Sequence, residues 1–164
     1  FRSRRNQTQD VNRVSELSER TNQFNSSLIK YTADDLRHKI EHKTHQIWIG
    51  TVSDSLGDSG TSLAAVSRID NDALEIEGLW VSCRVLGRQL EHAMIASLAS
   101  FARTEGLTTI RVVFNASSKN SQVLDFLNSL HPIQINEAGD TSMQFQYASD
   151  DLINLTPNYL KVIK

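Results

Sequence analysis

The sequence predicts an α/β (α+β) chain in which helices flank a mixed central sheet with one bulged strand. Three observations carry this. The apolar period changes from helical to alternating at His45, it returns to helical after Gly87, and Gly78 interrupts the parity of an otherwise regular strand.

Taken in order, "DVNRVSELSERTNQF" puts Val11, Val14, Leu17 and Ser18 on one helical face, with Asp10 available as N-cap and the turn formers of "TNQFNSS" closing the helix. In "YTADDLRHKIEHK", Thr32 and Asp35 form a capping-box pair ahead of a helix buried through Leu36 and Ile40. "HQIWIGTVSD" then alternates Ile47, Ile49 and Thr51 against Trp48 and Val52. With "TSLAAVSRID" across the loop "DSLGDSG", it predicts an antiparallel hairpin.

The strand beginning at "DNDAL" carries the parity break: Leu74 and Ile76 share one face, and Leu79 and Val81 fall on the other. A slip of one residue at Gly78 restores a single apolar face, which is what a β-bulge does. Such a bulge splays the strand from its neighbour, and the opened gap is expected to hold a ligand. A long helix follows, with Leu90, Ala93, Met94, Leu98, Phe101 and Ala102 on one stripe and Gly106 at its C-terminal end. "LTTIRVVFN" is a β-branched strand of buried type, "SSKNSQVLDFLNSL" a further helix, and "IQINEAGDTSMQFQYAS" two alternating runs about the turn "AGD". No internal repeat interrupts this order.

At 164 residues, 39% hydrophobic and 22% charged, the chain is expected to form one core. "FRSRRNQTQD", residues 1–10, is expected to be a linker from an upstream domain, leaving 11–164 as the folded domain. A formal charge of -2 advertises neither nucleic acid nor an anionic membrane as partner. Cys83 is the single cysteine, and neither a secretory core nor a run of 18 apolar residues is present, so a cytoplasmic protein is expected.

The stretch "VSCRVLGRQLEHAM" concentrates the chemistry. A loop ending on a helix N-terminus presents unpaired N–H groups and the positive end of the helix dipole, so Arg84, Val85, Leu86, Gly87, Arg88 and Gln89 read as an anion cradle. Cys83 beside Arg84 is either a nucleophile activated by nearby cations or a small hydrophobe closing a strand. Glu75 and Glu77 share a strand face, where they either activate a proton-bearing group or simply face solvent. Arg20, Asn22 and Asn25 in "RTNQFN" either bind substrate hydroxyls or lock their own turn. His38 and His42 have helical spacing but lack acidic or cysteine partners, and no metal is expected.

The element order resembles the GNAT acyltransferase fold. "RVSELSERTNQFN", "KYTADDL" and "SCRVLGRQLE" resemble, over roughly Val11 to Leu130, the C-terminal GNAT-like half of the FkbH-like proteins of polyketide biosynthesis. The resemblance implies a glyceryltransferase-like domain that moves a three-carbon acyl unit from a phosphorylated donor to the phosphopantetheine thiol of an acyl carrier protein. It implies Cys83 as thioester way station, Glu75 and Glu77 as candidate bases, and Asn120 beside the cofactor. It also implies a HAD-type phosphatase domain upstream or on a partner, with the phosphatase active site outside this chain.

In the family phrase Q/R-x-x-G-x-G/A, Arg84 and Gly87 match and Gln89 departs, which favours a carrier's phosphopantetheine over full CoA. Asn120 and Phe126 match the last-helix phrase, but Leu127 stands at its tyrosine position. Two alternatives accompany this expectation. One is a non-catalytic degenerate GNAT domain that binds the carrier arm, and the other is an acetyl-CoA-dependent N-acetyltransferase.

Overall fold

The computed structural model describes residues 1–54 and 57–163. Seven strands form one sheet: β1 (Arg2–Arg5), β2 (Gln46–Asp54), β3 (Gly57–Asp70), β4 (Ala73–Val81), β5 (Thr109–Asn115), β6 (Gln134–Glu137) and β7 (Ser142–Ala148). Their order is β1-β2-β3-β4-β5-β7-β6, and the β4/β5 pair is the parallel one. The helices are α1 (Val11–Arg20), α2 (Ala33–Glu41), α3 (Leu90–Thr104), α4 (Ser121–Ser129) and the short α5 (Ser149–Leu152). No helix among the described residues is long and apolar enough to cross a membrane.

Residues of α1 and α2 pack against one set of sheet side chains. Val11, Val14, Leu17, Tyr31 and Leu36 meet Ile47, Ile49, Ala64, Val66 and Trp80. The larger cluster joins α3, α4 and α5 to Trp48, Val52, Leu74, Ile76, Leu79 and Val81. Each fully buried branched or aromatic side chain contributes roughly 1.5–3 kcal/mol of transfer free energy, so these two layers fix the sheet between the helices. The alternation of Ile47 and Ile49 against Trp48 and Val52 is therefore a true partition between cores. The capping box of α2 forms as the sequence predicts, with the Asp35 N–H donating to Thr32 Oγ1 at 3.1 Å and the Thr32 N–H donating to the Asp35 carboxylate at 3.1 Å.

Residues 1–10 do not form the expected linker. Phe1 is buried, and Arg2–Arg5 pair antiparallel with Trp48–Thr51. The Arg5 guanidinium lies 4.0 Å from the centre of the Phe101 ring. Asp10 does occupy the N-cap position of α1, but its carboxylate accepts from Arg4 Nε at 2.8 Å and Nη2 at 2.6 Å instead of capping the helix. β1 is an edge strand, so its polar, basic side chains are compatible with pairing to β2. The strands of the hairpin also extend through much of "DSLGDSG", leaving Ser55 and Leu56 outside the described residues.

The bulge is present, one residue earlier than expected. Val66 pairs with Gly78 and Ser67 with Ile76, so Glu77 is the extra residue. Beyond it Leu79 and Val81 rejoin Leu74 and Ile76 in one core. Glycine at 78 has a different reason: the Trp80 ring lies on it, and a Cβ there would sit 2.3 Å from Trp80 Cη2.

Candidate functional site

β4 and β5 pair over Ala73–Ile76 and Thr109–Val112 and then diverge. The gap between them is filled by the chain itself. Phe24–Ser27, in the connection between α1 and α2, lies between the two strands and bonds to both. The Val81 N–H donates to the Phe24 carbonyl at 3.0 Å and the Ser26 N–H to the Leu79 carbonyl at 3.1 Å. On the other side the Asn115 N–H donates to the Ser26 carbonyl at 2.8 Å, and Asn115 Nδ2 to the Ser27 carbonyl at 2.6 Å. Backbone groups left bare by the splay are thus paired internally. The expectation of a ligand in the gap is corrected accordingly for this conformation.

Asn25 and Asn120 belong to this wedge. Asn120 is fully buried, and its amide donates to the carbonyls of Asn25 and Asn115, both at 2.9 Å, while its oxygen accepts from the Ser117 N–H at 2.8 Å. Asn25 donates to the Thr21 carbonyl at 3.0 Å and accepts from the Leu28 N–H at 2.9 Å. Their polar atoms are engaged, so Asn120 as a cofactor contact and Asn25 as a substrate contact give way to locking roles. Leu28, with φ of 61°, ends the segment in the left-handed region that a bulky residue adopts only under restraint.

The two strand carboxylates are tied as well. Glu75 is buried and accepts from Arg68 Nη2 at 2.7 Å and from Gln144 Nε2 at 2.8 Å. Glu77 accepts from the Tyr31 hydroxyl at 2.9 Å and lies 3.2 Å from both His45 Nε2 and Arg68 Nε. Burial pushes the Glu77 carboxyl up, but hydrogen bonds from His45 and Tyr31 and the charges of His45 and Lys39 outweigh it and hold the group down at about 2. The Tyr31 hydroxyl is pushed up by burial and by Glu77. A carboxylate so stabilised is a weak base, at odds with the expected role of Glu77 in activating a thiol. Both glutamates therefore serve the sheet.

Cys83 lies outside this locked region. After β4 the chain makes a short 3₁₀ turn, Cys83–Val85, with the Val85 N–H donating to the Ser82 carbonyl at 3.0 Å. Val85 is buried and anchors the turn from below, whereas Cys83 and Arg84 are exposed. Gly87, with φ of 79°, and Gln89, with φ of 53°, then bend the loop into α3. Gln89 is the N-cap of α3 but makes no capping bond through its side chain. Tyr159 Oη donates to the Arg88 carbonyl at 2.8 Å, so this loop is held from the C-terminal segment.

Cys83 opens onto a cavity of about 720 Å³. Arg13, Arg20, Arg84 and Lys119 line it together with one carboxylate, Glu16. Arg20 and Asn22, expected from sequence, share this cavity with Cys83, Arg84 and Leu86, whereas Val85, Gly87, Arg88 and Gln89 are not among its walls. Arg13, Glu16 and Lys119 were not anticipated. Arg13, Glu16 and Arg20 stand at i, i+3 and i+7 of α1, so helical spacing alone placed them on one face beside the buried stripe.

Solved structures similar in fold to this chain include acetyltransferases. An acetyltransferase of the GNAT family from Desulfovibrio desulfuricans aligns with a TM-score of 0.66 at 15% identity, covering 90% of this chain and 98% of the other. The PaiA N-acetyltransferase of Thermoplasma acidophilum, solved in complex with coenzyme A, gives 0.68 at 11%, covering 89% and 97%. The ribosomal-protein-S18-alanine N-acetyltransferase of Escherichia coli gives 0.59 at 10%, covering 88% and 90%. No protein-family profile and no curated protein sequence matches the chain. The chain thus has the GNAT fold, a mixed α/β sheet with flanking helices.

Proposed function

We propose that this chain is an acyltransferase domain that passes a glyceryl-type three-carbon acyl unit to the phosphopantetheine thiol of an acyl carrier protein through a thioester on Cys83. The observation that carries the reading is the exposed Cys83 on the wall of a cavity lined by four cations. The GNAT fold supports acyl transfer as the reaction class, and the sequence resemblance to FkbH-like proteins supplies the acyl unit and the cytoplasmic polyketide setting.

An acid must be activated to acylate a thiol, and a phosphorylated donor with an acyl phosphate meets that need. The Cys83 thiolate attacks the carbonyl carbon, the C–S bond forms, the C–O bond to phosphorus breaks, and phosphate leaves with the electron pair. Cations in the cavity favour the departing anion. The carrier thiolate then attacks the Cys83 thioester, the new C–S bond forms, and the Cys83 thiolate is released. Phosphatase chemistry belongs to a HAD-type domain upstream in the parent polypeptide or on a partner.

The test is intact-protein mass after incubation of the parent polypeptide with its phosphorylated three-carbon donor. An acyl adduct on Cys83, absent in Cys83→Ala together with transfer, is the expected result. Transfer preserved in Cys83→Ala would leave the chain as a docking domain for the carrier arm. The N-acetyltransferase activity of the structural neighbours favours acetyl transfer from acetyl-CoA to an amine as a second reading. Leu127 in place of a tyrosine and the filled β4/β5 gap weigh against it, and turnover of acetyl-CoA with amine acceptors by Cys83→Ala would establish it.

A further inference from the structure

The charge in the Cys83 cavity is unbalanced. Four cations face it against the single carboxylate of Glu16, in a chain whose formal charge is -2. Glu16 accepts from Arg13 Nη1 at 2.6 Å and from Arg20 Nη1 at 3.1 Å. Arg84, from the turn after β4, adds to the positive field on the same carboxylate, which Arg13 first and Arg20 and Arg84 after it hold below the usual carboxylate range. Neither Arg84 nor Lys119 has a salt-bridge partner among the described residues.

We propose that Glu16 is a built-in counter-anion holding Arg13 and Arg20 in place of a phosphate group, and that the cavity, with Arg84 on its wall, accepts a phosphate-bearing ligand by displacing it. Guanidinium forks match phosphate oxygens in pairs, and a dianion compensates several cations where one carboxylate compensates only part of them. Arg13 is also set by a second anchor, since its Nε donates to the Thr61 carbonyl at 3.1 Å and so ties α1 to β3 independently of Glu16. Its guanidinium therefore stays in place when the carboxylate swings away. Glu16 is partly exposed, with 39% of its side chain accessible, and has open solvent to move into.

The inference rests on the cavity being the reaction site proposed above, where the phosphate belongs either to a carrier's arm or to the acyl donor. Calorimetric titration of the chain with inorganic phosphate, 4′-phosphopantetheine, pantetheine and 3-phosphoglycerate tests it. Phosphate and the phosphorylated probes are expected to bind, and pantetheine is not. Glu16→Gln keeps a hydrogen-bond acceptor and removes the charge, so binding should tighten roughly fivefold, the effect of one unit charge at contact in water. Arg84→Gln, at an exposed position outside the core, should weaken it by a similar factor. Tighter binding of 4′-phosphopantetheine than of 3-phosphoglycerate assigns the site to the carrier arm, and the reverse assigns it to the donor.

Equal phosphate affinity in wild type, Glu16→Gln and Arg84→Gln, or no phosphate binding at all, overturns the proposal. Adduct formation on Cys83, read by intact mass after separate incubation of the parent polypeptide with the acyl phosphate donor, reports independently on the reaction. An adduct without phosphate binding sinks this inference alone, and phosphate binding without an adduct sinks the thioester mechanism alone.

Discussion

Glu77 in β4 and Cys83 in the turn just after it lie six residues apart, and their surroundings are opposite. Around Glu77 the carboxylate is already bonded: Tyr31, His45 and Arg68 converge on it, and the adjoining gap between β4 and β5 is stitched shut by Phe24–Ser27. Around Cys83 the chain leaves an open cavity whose cations exceed its anions. Buried polar groups with all their partners rigidify a fold, whereas exposed groups in excess charge are free to meet a ligand. The contrast leaves the end of β4, rather than its bulge, open to a ligand.

The contrast can be broken first at Gly78. Alanine there forces a methyl group into the Trp80 ring, within a sheet that cannot shift without opening the bulge. A loss of about 3 kcal/mol in denaturant unfolding is expected, at the upper end of overpacking effects. Native alkylation of Cys83 by iodoacetamide should proceed at the wild-type rate in the folded fraction. A change in that rate would couple the two regions that the structure separates.

Asn120→Ala comes next, at about 2 kcal/mol, because it strips partners from the carbonyls of Asn25 and Asn115 and from the Ser117 N–H. Its signature is local: amide hydrogen exchange at Ser26 and Asn115 should accelerate ahead of the rest of the sheet. Unchanged exchange would mean that Phe24–Ser27 is held by packing of Phe24 against Phe126, whose ring centres lie 5.4 Å apart.

Acid titration sharpens the same region. The Glu77 carboxyl is held at about 2 in the folded chain against an ordinary 4.5, so folding favours its ionised form. Its contribution is complete above pH 4.5 and is lost as pH falls toward 2. On the order of 2 kcal/mol should disappear over that window in wild type and be absent from the pH profile of Glu77→Gln. A profile identical in both would show that the tight hydrogen bonds are offset by the desolvation of the group.

Much of this architecture was legible because each element carries one physical signature. The capping box at Thr32 and the two-sided alternation of β2 survive unchanged in the structure, and the parity break survives with its bulge one residue earlier, at Glu77. β1 was not legible, since "RSRR" is polar at every position and becomes a strand only through pairing with β2 and the burial of Phe1. Nor was the wedge, because Asn25, Ser26 and Asn120 are ordinary turn residues in sequence and meet only after β4 and β5 diverge. Helical periodicity did contain Arg13 and Glu16, which form a charged stripe beside the apolar one of α1. Conversely, the cradle read from "RVLGRQ" is divided by the fold: Arg84 and Leu86 line the cavity, Val85 goes to the core, and the Arg88 carbonyl accepts from the Tyr159 hydroxyl.

The smallest expected effect separates the two regions most cleanly. Arg37 pairs with Asp34 on α2, and Arg20 pairs with Glu16 on α1 at 3.1 Å, both as exposed ion pairs within one helix. Alanine at either position should shift stability by less than about 0.5 kcal/mol, because solvent screens such pairs and ordering long side chains offsets the attraction. Their ligand readouts should nevertheless differ. Arg37 is not among the residues lining the Cys83 cavity, so Arg37→Ala should leave both iodoacetate alkylation of Cys83 and phosphate binding as in wild type. Arg20→Ala removes one of four cavity cations, and the anionic reagent iodoacetate should then react more slowly relative to neutral iodoacetamide. Equal ratios of the two reagents in wild type and Arg20→Ala would mean that the field at the thiol is set by Arg84 and Arg13 without α1's last turn.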